Sequence, residues 1–139
     1  MTKTIPVQTT TEPLVLLPHP EHRVSVEDEG QLPVDILEND SEILLITPIA
    51  GVDLEQTEVV ITNDVLTIRG KRKSKIEEFG FQPKHYCTEE CFWGIFSRSV
   101  ILPAHVDADR IEATQQDHIL YIRIPKRRSI KMRIVKISR

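Results

Sequence analysis

The chain has 139 residues, 40% of them hydrophobic and 28% charged, and a formal net charge of -3, which fits one globular domain with chain left over for arms. The slight acidity gives no overall attraction to nucleic acid, and two cysteines do not make a secreted disulfide scaffold. With only 5% aromatic residues the core is expected to be aliphatic, and no apolar run is long enough to cross a membrane.

The N-terminus lacks the core of a signal peptide: its apolar run, Leu14, Val15, Leu16 and Leu17, is short and is closed by Pro18. A cytoplasmic address is therefore expected. From Met1 to about Gly30, Pro6, Pro13, Pro18 and Pro20 break any helix longer than a turn or two. An arm is expected there, mostly extended or disordered, with "LVLLP" as its one apolar knot.

Strand signals follow in series. "QLPVDILE" puts Leu32, Val34 and Ile36 on one face. "SEILLITPIAGV" is a near-continuous apolar run, expected to be covered on both faces. "TEVVITND" and "VLTIRGKRK" are two β-branched runs, and Asn63 and Asp64 between them suit a left-handed hairpin turn. Leu66 and Ile68 point one way from the second run; Val65, Thr67 and Arg69 point the other. A polar stretch from Lys71 to Glu90 is too long for an ordinary hairpin loop. Phe92 and Trp93 after it are expected in the core. "GIFSRSVILP" is a strand with Phe96, Val100 and Leu102 on one face. "RIEATQQ" and "ILYIRIPK" form a last hairpin around Asp117 and His118, with Leu120, Ile122 and Ile124 alternating inward. Many short strands with turn chemistry between them predict an all-β sandwich.

No acid–base pair, nucleophile with its base, or glycine-rich phosphate loop is present, so neither an enzyme nor a cofactor is expected. His85, Cys87 and Cys91 carry donor types that suit zinc, but the set lacks a second pair at motif spacing, and reduced thiols are expected instead. "KRRSIKMR" is basic but has no stacking aromatic beside it, so a solvated tail is expected rather than a nucleic-acid contact.

Taken in order, "GIFSRSVILP", "AHVDADRIEAT" and "ILYIRIPK" resemble the α-crystallin domain of small heat shock proteins. The residues that carry the resemblance are Gly94, Phe96, Arg98, Leu102, Pro103, Val106, Asp107, Ile111, Ala113, Leu120, Ile122, Pro125 and Lys126. Upstream, Gly70 and Arg72 take the places of the family's Gly-x-Arg. The ordered set runs from Gly30 to Lys126. One position departs: His118 stands where the family usually has glycine before the last strand, at a turn position that favours left-handed backbone.

The resemblance implies an immunoglobulin-like β-sandwich over 31–126, an N-terminal arm over 1–30 and a C-terminal tail over 127–139. It implies an ATP-independent holdase that binds partly unfolded client proteins and works as a homo-oligomer built from dimers, with no nucleic acid and no membrane among its partners. A monomeric interaction module of the related CS-domain type is the alternative. By the same resemblance, Val135 and Ile137 form a tail motif that docks into a groove on a neighbouring subunit; Met132 and Ile134 offer a second register. The groove's expected lining is Val59, Ile61, Ile111 and Ala113. In the long loop, His85, Tyr86, Cys87, Thr88, Glu89 and Glu90 would form a strand that crosses to the partner and pairs with "LPVDILE", with Arg98 near that interface; a plain surface loop is the alternative. The knot Leu14–Leu17 is the expected client contact, as exposed apolar surface outside the sandwich.

Overall fold

The computed structural model describes residues 2–10, 29–128 and 137. Ten strands lie among the described residues: β1 (Lys3–Ile5), β2 (Val7–Thr10), β3 (Gly30–Gln31), β4 (Asp35–Glu38), β5 (Glu42–Pro48), β6 (Glu58–Thr62), β7 (Val65–Arg72), β8 (Gly94–Ile101), β9 (Glu112–Gln116) and β10 (Ile119–Pro125). They form two five-stranded sheets, ordered β1-β9-β10-β5-β4 and β2-β6-β7-β8-β3. This is the expected β-sandwich.

The core follows the period-2 pattern of the sequence. Ile43, Leu45, Leu120, Ile122 and Ile124 of one sheet meet Val59, Ile61, Leu66 and Ile68 of the other, all buried. Both hairpins turn on left-handed residues. Asn63 has φ 56°, and Asp117 and His118 have φ 52° and 63°. Two consecutive positive φ values give the tight turn whose twist matches the flanking strands. His118 is held there by its carbonyl, which accepts from the Ile49 N–H at 2.8 Å.

Gly70 is needed for packing. A side chain there would place its Cβ 2.7 Å from the ring of Phe96, the one aromatic among the buried core residues. Arg72 lies over the other part of that ring, 5.8 Å from its centre, and its Nε donates to the carbonyl of Ala50 at 2.8 Å. The Gly-x-Arg pair thus clears a place for the ring and ties β7 to the turn after β5.

Three expectations change. Phe92 and Trp93 are not core residues; they are 39% and 44% exposed. Phe92 lies against Gly30 and Trp93 against Gly51, as caps on backbone at the sandwich surface. Second, "QLPVDILE" does not present one face. Pro33 interrupts it, so Gly30–Gln31 pairs with β8 in one sheet while Asp35–Glu38 pairs with β5 in the other. Leu32 ends up buried and Ile36 exposed. Third, β5 is covered fully on one face only: Ile43, Leu45 and Thr47 are buried, whereas Leu44 and Ile46 are half-buried.

Candidate functional site: a filled groove and an open strand edge

Val59, Ile61, Ile111 and Ala113, from β6 and the start of β9, are all buried and face the space between the two sheets on one side of the sandwich. That space is occupied by the chain's own N-terminal segment. β1 pairs antiparallel with β9, setting Ile5 opposite Ala113. β2 pairs parallel with β6, setting Val7 opposite Val59 and Thr9 opposite Ile61. Pro6 stands where the segment leaves one sheet for the other. A residue without an N–H, held near φ -65°, suits a point where no ladder donor is needed. Ile5 is only 3% exposed and belongs to the core, with Val7 packed against it. Burying one such side chain contributes about 1.5–3 kcal/mol before the ordering of the segment is counted.

Residues 3–10 belong to the arm expected to be extended; they are extended, and they are also paired. A signal was available. Ile5-Pro6-Val7 repeats the apolar-x-apolar spacing of Val135-Lys136-Ile137. Of the tail, Ile137 is described and is 92% exposed; Val135, Met132 and Ile134 lie outside the described residues, as do Leu14–Leu17.

The other side of the sandwich ends in β4, an edge strand whose four residues are all exposed. Ile36 and Leu37 are each 51% exposed, although they point to opposite faces of the strand. An edge with unpaired backbone groups and apolar side chains invites another strand. This is the segment expected to receive a partner strand, and it is braced by a contact that no sequence motif marks. Lys126 Nζ pairs with the Glu38 carboxylate and donates to the Asn39 carbonyl at 2.7 Å, and its N–H donates to Ser41 O at 2.9 Å. The hydrogen bond from Lys126, then its charge, lowers the pKa of the exposed Glu38 carboxyl below the ordinary carboxylate range.

Between β7 and β8 the chain makes a short 3-10 turn at Ile76–Phe79, closed by left-handed Gly80, and then runs without regular structure. His85, Tyr86, Cys87, Thr88, Glu89 and Glu90 are all exposed there and form no strand within their own chain. Cys87 Sγ lies 3.7 Å from His85 Nε2, but no group of three or more potential metal ligands occurs among the described residues. Phe79, Phe81 and Tyr86 are also exposed, which concentrates aromatic surface on this loop. Arg98 is half-buried on β8 opposite Ile68. Among the described residues neither Arg98 nor Glu90 makes an ion pair. No helix of the described residues is long and apolar enough to cross a membrane.

Among the described residues the sandwich thus presents a groove filled by an extended segment and an exposed edge at β4, without a reactive constellation. The Hsp20/alpha crystallin family profile matches residues 35–138, and the chain belongs to this family. It is 38% identical over 104 residues to small heat shock protein C4 of Rickettsia felis and 36% identical over 104 residues to small heat shock protein C2 of the same organism. Each match covers 75% of this chain and spans 62% and 66%, respectively, of those relatives. Among solved structures, a small heat-shock protein from Xylella fastidiosa, described as having a distinct high order structure, aligns at 31% identity and TM-score 0.63, over 78% of this chain and 96% of that one. The hspA protein of Xanthomonas axonopodis aligns at 34% identity and TM-score 0.62, over 73% and 99%. The family is one of ATP-independent, oligomer-forming chaperones rather than enzymes.

Proposed function

We propose that this chain is a holdase: it binds partly unfolded proteins without ATP, holds them back from aggregation, and assembles from dimers in the cytoplasm. The observation that carries the reading is the open β4 edge with Ile36 and Leu37 half-exposed. Residues 85–90 of a second copy are the strand that pairs with it; they are exposed and unpaired in their own chain. Such an exchange satisfies backbone groups on both chains. Dimers then join through Val135 and Ile137 of one copy docking at the groove of the next, a weak contact made strong by number. The sandwich over 31–126 is the scaffold, and Leu14–Leu17 in the arm makes the client contact.

The test is light scattering from a thermally unfolding reporter enzyme with added chain and no ATP. Suppression should rise with the molar ratio, and the chain's own mass should be a multiple of a dimer. A second reading has one observation in its favour: the groove is already filled within the chain, as a monomeric interaction module would have it. A monomeric mass at micromolar concentration would establish that reading instead.

A further inference from the structure

We infer that the groove between β6 and β9 is a shared site: Ile5 and Val7 hold it within the chain, and the tail of a neighbouring copy takes it only when they leave, so that residues 3–10 gate tail-driven assembly. This rests on the tail-docking part of the reading above and adds its regulation.

Four observations support it. The two segments present the same pattern, Ile5-x-Val7 and Val135-x-Ile137, so each can aim two side chains the same way from an extended backbone. They also exclude each other. β1 uses the edge of β9 and β2 uses the edge of β6, so neither β9 nor β6 keeps a ladder edge for a second segment. Third, Ile137, the described residue of the tail motif, is exposed and not seated in the groove. Fourth, the charges differ. Exposed Glu58 and Glu112 flank the inward-facing Val59, Ile111 and Ala113. The tail from Lys126 to Arg139 has seven basic and no acidic residues, whereas residues 1–10 have Lys3 alone. Glu58 and Glu112 stand opposite Arg69 and Arg123 in their ladders, so the charge difference between the two segments makes their competition sensitive to salt without by itself choosing the occupant. Release is local, because β1 and β2 span three and four residues and each edges a sheet whose inner strands pair without them.

The gate is tested by locking it. Thr4 and Thr114 are direct partners across β1 and β9; Thr4 is exposed and Thr114 half-buried, away from the groove side chains. Directly opposed residues in an antiparallel pair lie close enough for a disulfide. The host is the full chain with Cys87→Ser, Cys91→Ser, Thr4→Cys and Thr114→Cys. The probe is a labelled peptide of residues 129–139. The reduced protein should bind it at least ~10-fold more tightly than the oxidised one, and an unlocked Ile5→Ser/Val7→Ser chain should bind it ~10-fold more tightly than the parent. Because the locked and unlocked states are the same polypeptide, a folding defect cannot imitate the difference. Equal binding by oxidised and reduced protein overturns the gate while leaving tail docking intact. Absence of binding to every form, Ile5→Ser/Val7→Ser included, overturns tail docking and the gate with it.

Discussion

Lys126 closes the last strand and at the same time holds the edge strand in place through Glu38 and the Asn39 carbonyl. Since the folded-state pKa of Glu38 is lowered, the clamp is fully present at neutral and mildly acidic pH and is lost as the pH falls through that lowered value. Lys126→Met should therefore speed amide exchange of residues 35–38 at neutral pH, whereas the buried strands β7 and β10 keep their protection. Equal exchange in both proteins would show that ladder bonds to β5 suffice. Gly70 gives a sharper energetic expectation. Gly70→Ala drives a Cβ into Phe96, whose ring is confined between β7 and the opposite sheet, so urea unfolding should register a loss of about 1–3 kcal/mol. Single residues were legible where local chemistry decides: Asn63 and His118 took the left-handed backbone their turns demand. Phe92 and Trp93 were misplaced because composition says that large apolar rings prefer the inside, whereas here bare backbone at Gly30 and Gly51 offers them a seat at the surface.

At the level of elements, strands with strong alternation were visible: β7 and β10 bury the very apolar residues their period picks out, whereas β9 buries Gln115, which no apolar period marks. Elements that depend on distant partners were not. Three residues at Lys3–Ile5 carry no period, and their strand exists only because β9 offers an edge more than a hundred positions later. The same holds for "QLPVDILE", which reads as one strand and is divided between two sheets by Pro33. For the long loop, Tyr86→Pro or Thr88→Pro should break the dimer and leave each sandwich folded. Each lost ladder bond costs about 0.5–1.5 kcal/mol, and proline removes the donor. Two positions are needed because only alternate residues direct donors to the partner. Sedimentation at low micromolar concentration reads the result; dimers in both variants would return the loop to a surface excursion.

For the whole molecule, composition and pattern led to the sandwich, and the ordered motifs led to the family. The closed groove depends on pairing of residues 3–10 with the distant β9 and β6, of which the Ile5-x-Val7 spacing is the local trace. Val135→Ala with Ile137→Ala should reduce the assembly toward dimers with strand content unchanged, as measured by light scattering after chromatography. An unchanged mass would shift the motif to Met132 and Ile134. Replacing Leu14, Val15, Leu16 and Leu17 with serine should weaken the suppression of reporter aggregation without altering the mass. This substitution is cleaner than deleting the arm, because a deletion also removes Ile5 and Val7 from the core.

The placement of β1 also sets an order of events during synthesis. Its partner β9 is made about a hundred residues later, which at ribosomal speeds is roughly 5–20 s. β10, which joins β9 to β5, comes later still. Through that interval β6, β7 and β8 can already pair among themselves and β2 can join β6, while β1 waits without its partner and Ile5 without its seat. The molecule therefore completes its groove in two stages: the β6 wall can take Val7 early, and the β9 wall that seats Ile5 arrives only with the last hairpin.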